Sequence, residues 1–139
     1  MKPKLILMSH GNLAREVYES AKFITGDMEG VSVVCMSMDD GLEGTRAKLG
    51  KALEGPPASA IIIADIPGGT PCNAAVEKLI QNDNIRVLSG LNLGMVIEYA
   101  LSSDGDMDEI CESVLDAGLG SVQIIRKPKG EMADNGYED

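Results

Sequence analysis

Leu5-Ile6-Leu7-Met8-Ser9-His10-Gly11-Asn12 sets four consecutive apolar residues against a polar exit that contains glycine. A short, unbroken apolar run is what a strand buried on both faces of a parallel sheet requires, and Ser9-His10-Gly11-Asn12 reads as the turn leaving it. Leu13, Val17, Ala21 and Ile24 follow at intervals of three and four, the spacing of one helical face. The pattern is strand, turn, helix, with the chain's single histidine at the carboxyl end of the strand. In open α/β sheets that is the end where ligands bind. A loop histidine needs no role, so its position alone leaves both readings of His10 open.

Outward from this unit, the first helix covers Leu13–Thr25, with Gly26 as its C-cap. Val31–Met36 reads as a second strand. Asp39-Asp40-Gly41 turns the chain into a helix over residues 42–53, where Lys48 and Lys51 fall late and suit the helix dipole. Glu54-Gly55-Pro56-Pro57 ends that helix. Ala60-Ile61-Ile62-Ile63-Ala64 is the most strand-like run and belongs at the centre of the sheet. It leads into Asp65-Ile66-Pro67-Gly68-Gly69-Thr70-Pro71-Cys72-Asn73, where Thr70 as N-cap and Pro71 at the first helical position predict a helix running to about Gln81. Ile85–Ser89 is a fourth strand. Asn92 then caps a helix whose expected buried face is Leu93, Val96, Ile97, Ala100 and Leu101. Met107, Ile110, Cys111, Val114 and Leu115 mark a last helix ended by Gly118 and Gly120. Residues 121–125 read as a short final strand, either at an edge of the sheet or paired with a second subunit, and residues 127–139 as a polar, flexible tail. Strand and helix alternate throughout. The expectation is a single α/β domain over residues 1–126, with a doubly wound, mostly parallel open sheet flanked by helices.

The 139 residues suffice for one compact domain. A formal net charge of −10 argues against nucleic-acid binding and against adhesion to anionic membranes, and it suits steering toward a basic partner. Cys35, Cys72 and Cys111 are too scattered for a disulfide framework and point to a reducing compartment. No apolar run has the length of a membrane span, and residues 5–8 are too short for a signal-peptide core, so a soluble, cytoplasmic protein is expected.

Two groups of residues converge on the same sheet edge. Asp65 leaves the central strand at the end where His10 leaves the first. If the two strands are neighbours, the carboxylate reaches one ring nitrogen, fixes the tautomer and leaves the other nitrogen with a free lone pair. Gly68 and Gly69 allow close backbone approach, Thr70 adds a hydroxyl, and the helix start supplies free N–H groups. Together these suit an anion such as a phosphoryl group. Taken alone, Gly-Gly-Thr-Pro is equally well explained as a tight turn and a cap. Asp39 and Asp40, at the same edge, read as turn residues. One histidine and scattered carboxylates do not form a metal-ligand cluster, so neither metal nor cofactor is expected.

On these residues the sequence resembles the mannose-type (mannose/fructose/sorbose) IIA components of the bacterial phosphoenolpyruvate-dependent sugar phosphotransferase system. The likeness covers roughly residues 4 to 125. It rests on Ser9-His10-Gly11, on Asp65-x-x-Gly68-Gly69-Thr70-Pro71-x-Asn73, and on Gly90-Leu91-Asn92-Leu93. The resemblance implies that His10 accepts a phosphoryl group from the phosphocarrier HPr and passes it to a IIB component, in indirect association with membrane IIC and IID components. It further implies that Asp65 holds the other ring nitrogen, and that Gly68, Gly69, Thr70, Cys72 and Asn73 surround the phosphoryl group. It also implies a homodimer that exchanges its last strand. This chain has Gly94 where the family often has proline, and Pro67 and Cys72 where an aromatic residue is common.

Other classes fit less well. A histidine phosphatase or mutase calls for a neighbouring arginine and a second histidine, and a cysteine phosphatase for an arginine just after its nucleophile. A regulatory module that senses phosphorylation, or a phosphotransferase subunit of the dihydroxyacetone-kinase type, shares the expected fold and is the alternative to sugar-system phosphoryl transfer.

Overall fold

The computed structural model describes residues 1–129; the larger part of the expected tail, residues 130–139, lies outside the described residues. The elements run β1 (Lys4–His10), α1 (Leu13–Thr25), β2 (Val31–Met36), α2 (Gly41–Ala52), β3 (Ala60–Ala64), α3 (Thr70–Gln81), β4 (Ile85–Ser89), α4 (Leu93–Leu101) and α5 (Met107–Gly120). The four strands form one sheet in the order β2-β1-β3-β4, and every pairing is parallel. Helices α1, α4 and α5 cover one face and α2 and α3 the other, so the sheet is doubly wound.

Strand alternation sorts the apolar runs onto the two faces. Leu5 and Leu7 of β1, with Ile61 and Ile63 of β3, pack with Ala14, Ala21, Val96, Tyr99 and Val114 from the first helical layer. Ile6, Met8, Ala60 and Ile62 point the other way, onto Leu49, Ala74 and Ala75. Residues 5–8 and 60–64 are fully buried, which is why they read as continuous apolar runs rather than alternating ones. Ile62 therefore sits in a closed core. Ile62→Ala is expected to cost about 2–5 kcal/mol, the usual range for truncating a buried aliphatic side chain, read as a lowered urea midpoint with an unchanged slope.

Four sequence expectations are corrected. First, β1 does not stop at Met8: Ser9 pairs with Cys35 and His10 with Met36, so the histidine ends the strand rather than opening a loop. The long neighbour β2 supplies partners for those two residues. Second, in α4 the buried residues are Met95, Val96 and Tyr99, while Leu101 is 72% exposed. The helix presents Tyr99 inward because its hydroxyl has a buried partner, donating to the Pro3 carbonyl at 2.6 Å. Third, α5 runs through Gly118 instead of ending there. That glycine is needed for space: a Cβ would lie 2.6 Å from Met95 Cγ of α4. Gly94 answers it from α4, where a Cβ would collide with the Ser121 hydroxyl, so its role is helix packing. Fourth, residues 121–125 form no edge strand within this chain. They leave α5 with Val122, Ile124 and Ile125 exposed, because no sheet edge of the same chain lies alongside them to pair with. Among the described residues, no helix is long and apolar enough to cross a membrane.

Candidate functional site

The strand order places the reversal of the winding between β1 and β3: from β1 the chain moves outward to β2, then crosses back to β3 on the other side. At such a switch point the two connections diverge and open a crevice at the carboxyl ends of the strands. His10 ends β1, and Asp65 immediately follows β3. The adjacency of strands that are not consecutive in the chain is what brings these two residues together.

The contact is tight. His10 Nδ1 lies 2.8 Å from Asp65 Oδ2, and the same oxygen accepts the His10 backbone N–H at 2.9 Å. Asp65 Oδ1 accepts the Ile66 N–H at 2.9 Å. Both carboxylate oxygens therefore face donors. Burial works against its charge, but the hydrogen bonds from His10 and Ile66, with the nearby imidazole, outweigh it and hold the carboxyl below its usual range. An ionised carboxylate accepts only, so Nδ1 must be the ring nitrogen that carries the proton. Nε2 is left with its lone pair, on a side chain 44% exposed, whereas the Asp65 side chain is only 9% exposed.

Ser9, read from the sequence as part of the turn and of the Ser9-His10-Gly11 motif, has a bonding role of its own. Fully buried, it donates from Oγ to the Gly11 carbonyl at 2.9 Å and accepts the Ala14 N–H at 2.8 Å. It thereby caps α1 from the strand, while the N-cap residue Asn12 makes no side-chain capping bond. The turn also needs Gly11 at φ +60°, and the Gly11 N–H is tied to the Met36 carbonyl at 2.8 Å. These bonds fix the backbone on either side of His10. The sequence signal was a serine two residues before glycine at a strand end, which does not by itself distinguish a cap from a solvated hydroxyl.

Across the crevice the start of α3 differs from expectation by one residue. The Asn73 N–H bonds the Gly69 carbonyl at 2.8 Å, so Gly69 is the N-cap, Thr70 is the first helical residue and Pro71 follows it. Glycine has no side chain to cap with, and no side-chain bond closes this helix start. The first-turn N–H groups of Gly69, Thr70 and Cys72 therefore have no partner within the helix, and Pro71 has no N–H. Gly69 lies against the Cε1–Nε2 edge of the His10 ring. Gly68 takes φ +82°, a conformation open to glycine, to bring the loop round. Asn73 reaches back from α3 to the Gly68 carbonyl at 3.4 Å, so its amide braces the loop. The Cys72 side chain is buried, 7% exposed, which leaves its backbone as the part turned to the helix start. Asp40 is occupied elsewhere, accepting the Ser37 N–H at 2.7 Å and the Lys48 ammonium at 2.6 Å. No group of three or more His, Cys, Asp or Glu is gathered for a metal among the described residues.

Fold and site together define a class of protein: a doubly wound α/β domain with an exposed, carboxylate-oriented histidine at its switch point and an anion-favouring helix start beside it. More particularly, the chain belongs to the EIIA-man family, described as PTS system fructose IIA component, whose pattern matches residues 4–115. Members of that family are phosphotransfer proteins of sugar uptake. The chain is 29% identical over 102 residues to the sorbose-specific EIIA component of Lacticaseibacillus casei, covering 73% of this chain and 74% of the relative. It is 23% identical over 133 residues to the mannose-specific EIIAB component of Escherichia coli K12, covering 93% of this chain and 41% of that longer protein. Among solved structures, a mannose/sorbose-specific IIA subunit from Enterococcus faecalis superposes with a TM-score of 0.87 at 42% identity, over 93% of this chain and 98% of that one.

Proposed function

We propose that this chain is a cytoplasmic phosphoryl carrier of a sugar phosphotransferase system, accepting a phosphoryl group on His10 from phospho-HPr and passing it to a IIB component. The observation that carries the reading is the 2.8 Å contact of Asp65 Oδ2 with His10 Nδ1, which leaves Nε2 as the nucleophile. In the transfer the Nε2 lone pair attacks phosphorus in line, and the P–N bond to the donor breaks with its electron pair returning to the donor's ring nitrogen. The proton on Nδ1 stays in place. Asp65 then offsets the positive charge that develops on the imidazole ring. The equatorial oxygens face the amides of Gly69, Thr70 and Cys72 at the positive end of α3, with the Thr70 hydroxyl beside them. Handing on to IIB reverses these steps with a new acceptor. Gly68 and Asn73 shape and brace the loop that carries the amides.

Intact-protein mass after incubation with phosphoenolpyruvate, enzyme I and HPr tests this directly. One acid-labile phosphoryl adduct is expected. No adduct, with HPr itself shown to be phosphorylated, would overturn the reading in favour of a phosphorylation-sensing module or another donor.

The carrier in this reading is a homodimer. β4 is an edge strand, flanked by a groove of about 530 Å³ whose apolar lining includes Leu79, Val87, Leu88, Cys111 and Leu115. Residues 121–125 of a second copy suit it: Val122, Ile124 and Ile125 are 80%, 75% and 70% exposed, and pairing would satisfy the open backbone edge while burying them. Val122→Asp combined with Ile124→Asp is expected to convert a dimer to a monomer by light scattering. A wild-type protein that stays monomeric at micromolar concentration would refute the exchange.

A further inference from the structure

Gly68 and Gly69 are adjacent and look interchangeable in the sequence, yet their backbones differ. Gly68 has φ +82°, and a Cβ built on it meets no atom within 4 Å, so glycine is required there by conformation. Gly69 has φ −85° and ψ 170°, an extended conformation open to any residue. Its glycine must have another reason. A Cβ at position 69 would lie 2.7 Å from His10 Cε1, closer than side-chain carbons approach other atoms, and a tight 3.2 Å from Nε2.

We infer that Gly69 is the steric seat of the His10 imidazole, a positioning residue that acts by lacking a side chain. The ring is held between two fixed surfaces. Asp65 Oδ2 grips Nδ1 at 2.8 Å, and the bare Cα of Gly69 supports the adjoining Cε1–Nε2 edge. With a methyl group at position 69 the ring has to swing away, and it cannot do so while keeping the short bond to Asp65, because the backbone of His10 is fixed by pairing with Met36 of β2 and that of Asp65 by its carbonyl accepting the Gly90 N–H. Losing that bond removes what selects the Nδ1-protonated tautomer. The same seat places Nε2 beside the amides of the α3 start, so ring orientation and anion site are set by one contact. A mere turn requirement at Gly69 predicts none of this.

The consequence for phosphoryl transfer rests on the proposed function, but the ring geometry does not, so the two can fail separately. Nitrogen-15 NMR of the imidazole in the unphosphorylated protein reports the tautomer. The wild type should show a protonated Nδ1, together with a strong Overhauser contact between Gly69 Hα and His10 Hε1. Gly69→Ala should keep its melting temperature close to wild type, show mixed tautomers and slow phosphoryl acceptance at least tenfold. Gly68→Ala should instead lower the melting temperature through its positive φ and keep the Nδ1-protonated tautomer in the folded protein. A Gly69→Ala protein with a wild-type tautomer and rate would overturn the inference. So would absence of the Hα–Hε1 contact in the wild type, a test that stands even if the variant does not fold. A wild type with the predicted ring signature that nevertheless accepts no phosphoryl group would leave the seat standing and remove the functional reading.

Discussion

His10→Ala is expected to abolish phosphoryl acceptance completely while leaving the fold in place. The side chain is 44% exposed, and among the described residues it bonds to Asp65, so the structural loss is about one charge-assisted hydrogen bond, roughly 1.5–3 kcal/mol at most. The chemical loss is total, because no second histidine exists in the chain to take over the nucleophilic nitrogen. Intact mass and circular dichroism on the same sample separate the two effects. The variant should keep the wild-type spectrum and show no adduct under conditions that label the wild type fully. An adduct of equal acid lability on the variant would place the phosphoryl group on another side chain and remove His10 from the mechanism.

The second large effect is expected at Asp65. Both of its oxygens accept from N–H groups: Oδ2 from the His10 amide and ring, Oδ1 from the Ile66 amide. Asparagine is nearly the same size, but one of its two positions becomes an NH2 donor facing a donor. Pointed at His10, that NH2 meets both the backbone N–H and Nδ1, and it favours the tautomer with the proton on Nε2, which cannot attack. Pointed at Ile66, it leaves that N–H unpaired and removes the negative charge that offsets the ring cation. Either way Asp65→Asn should slow acceptance by about 10²- to 10⁴-fold, between the roughly 10²-fold cost of losing an orienting partner of a metal-bound histidine and the roughly 10⁴-fold cost of the same change beside a catalytic-triad histidine. Phosphorylation at the normal rate would exclude the orienting role.

The same carboxylate carries a pH signature. Its folded-state pKa lies below its ordinary value, so its contribution to stability is present above the unfolded carboxylate pKa of about 3.9 and is lost as pH falls through the lower folded value. Thermal melts from neutral pH toward about pH 2 should therefore show a shallower acid limb for Asp65→Asn than for the wild type. Superimposable limbs would show that this carboxyl is not held down in the folded protein.

Most of the fold was legible because its signals are local. The apolar runs at residues 5–8 and 60–64, the three-and-four spacing of α1 and the asparagine cap of α4 each declare an element within a few residues. What was misread depended on neighbours distant in the chain. The extra length of β1 comes from pairing with β2, and the inward face of α4 is chosen by the Tyr99 bond to Pro3. Residues 121–125 carry the composition of a strand but do not join the sheet of their own chain, because a strand exists only where another edge receives its backbone bonds, and the pairing with a second subunit read from the sequence belongs to the proposed dimer.

The site divides in the same way. The sequence by itself determined which chemistry is available: one histidine at a strand end, an aspartate at another, and a glycine-rich helix start. Only the tertiary structure decided how these act on one another. Whether Asp65 meets His10 depends on β1 and β3 being adjacent, which the order β2-β1-β3-β4 settles across a separation of 55 positions in the chain. Which glycine is needed for its φ and which for its empty space depends on a ring arriving from another strand. The physical reason is common to both: residue type and spacing constrain a backbone over a few residues, whereas a hydrogen bond or a steric limit between distant segments exists only once packing has brought them within a few ångströms.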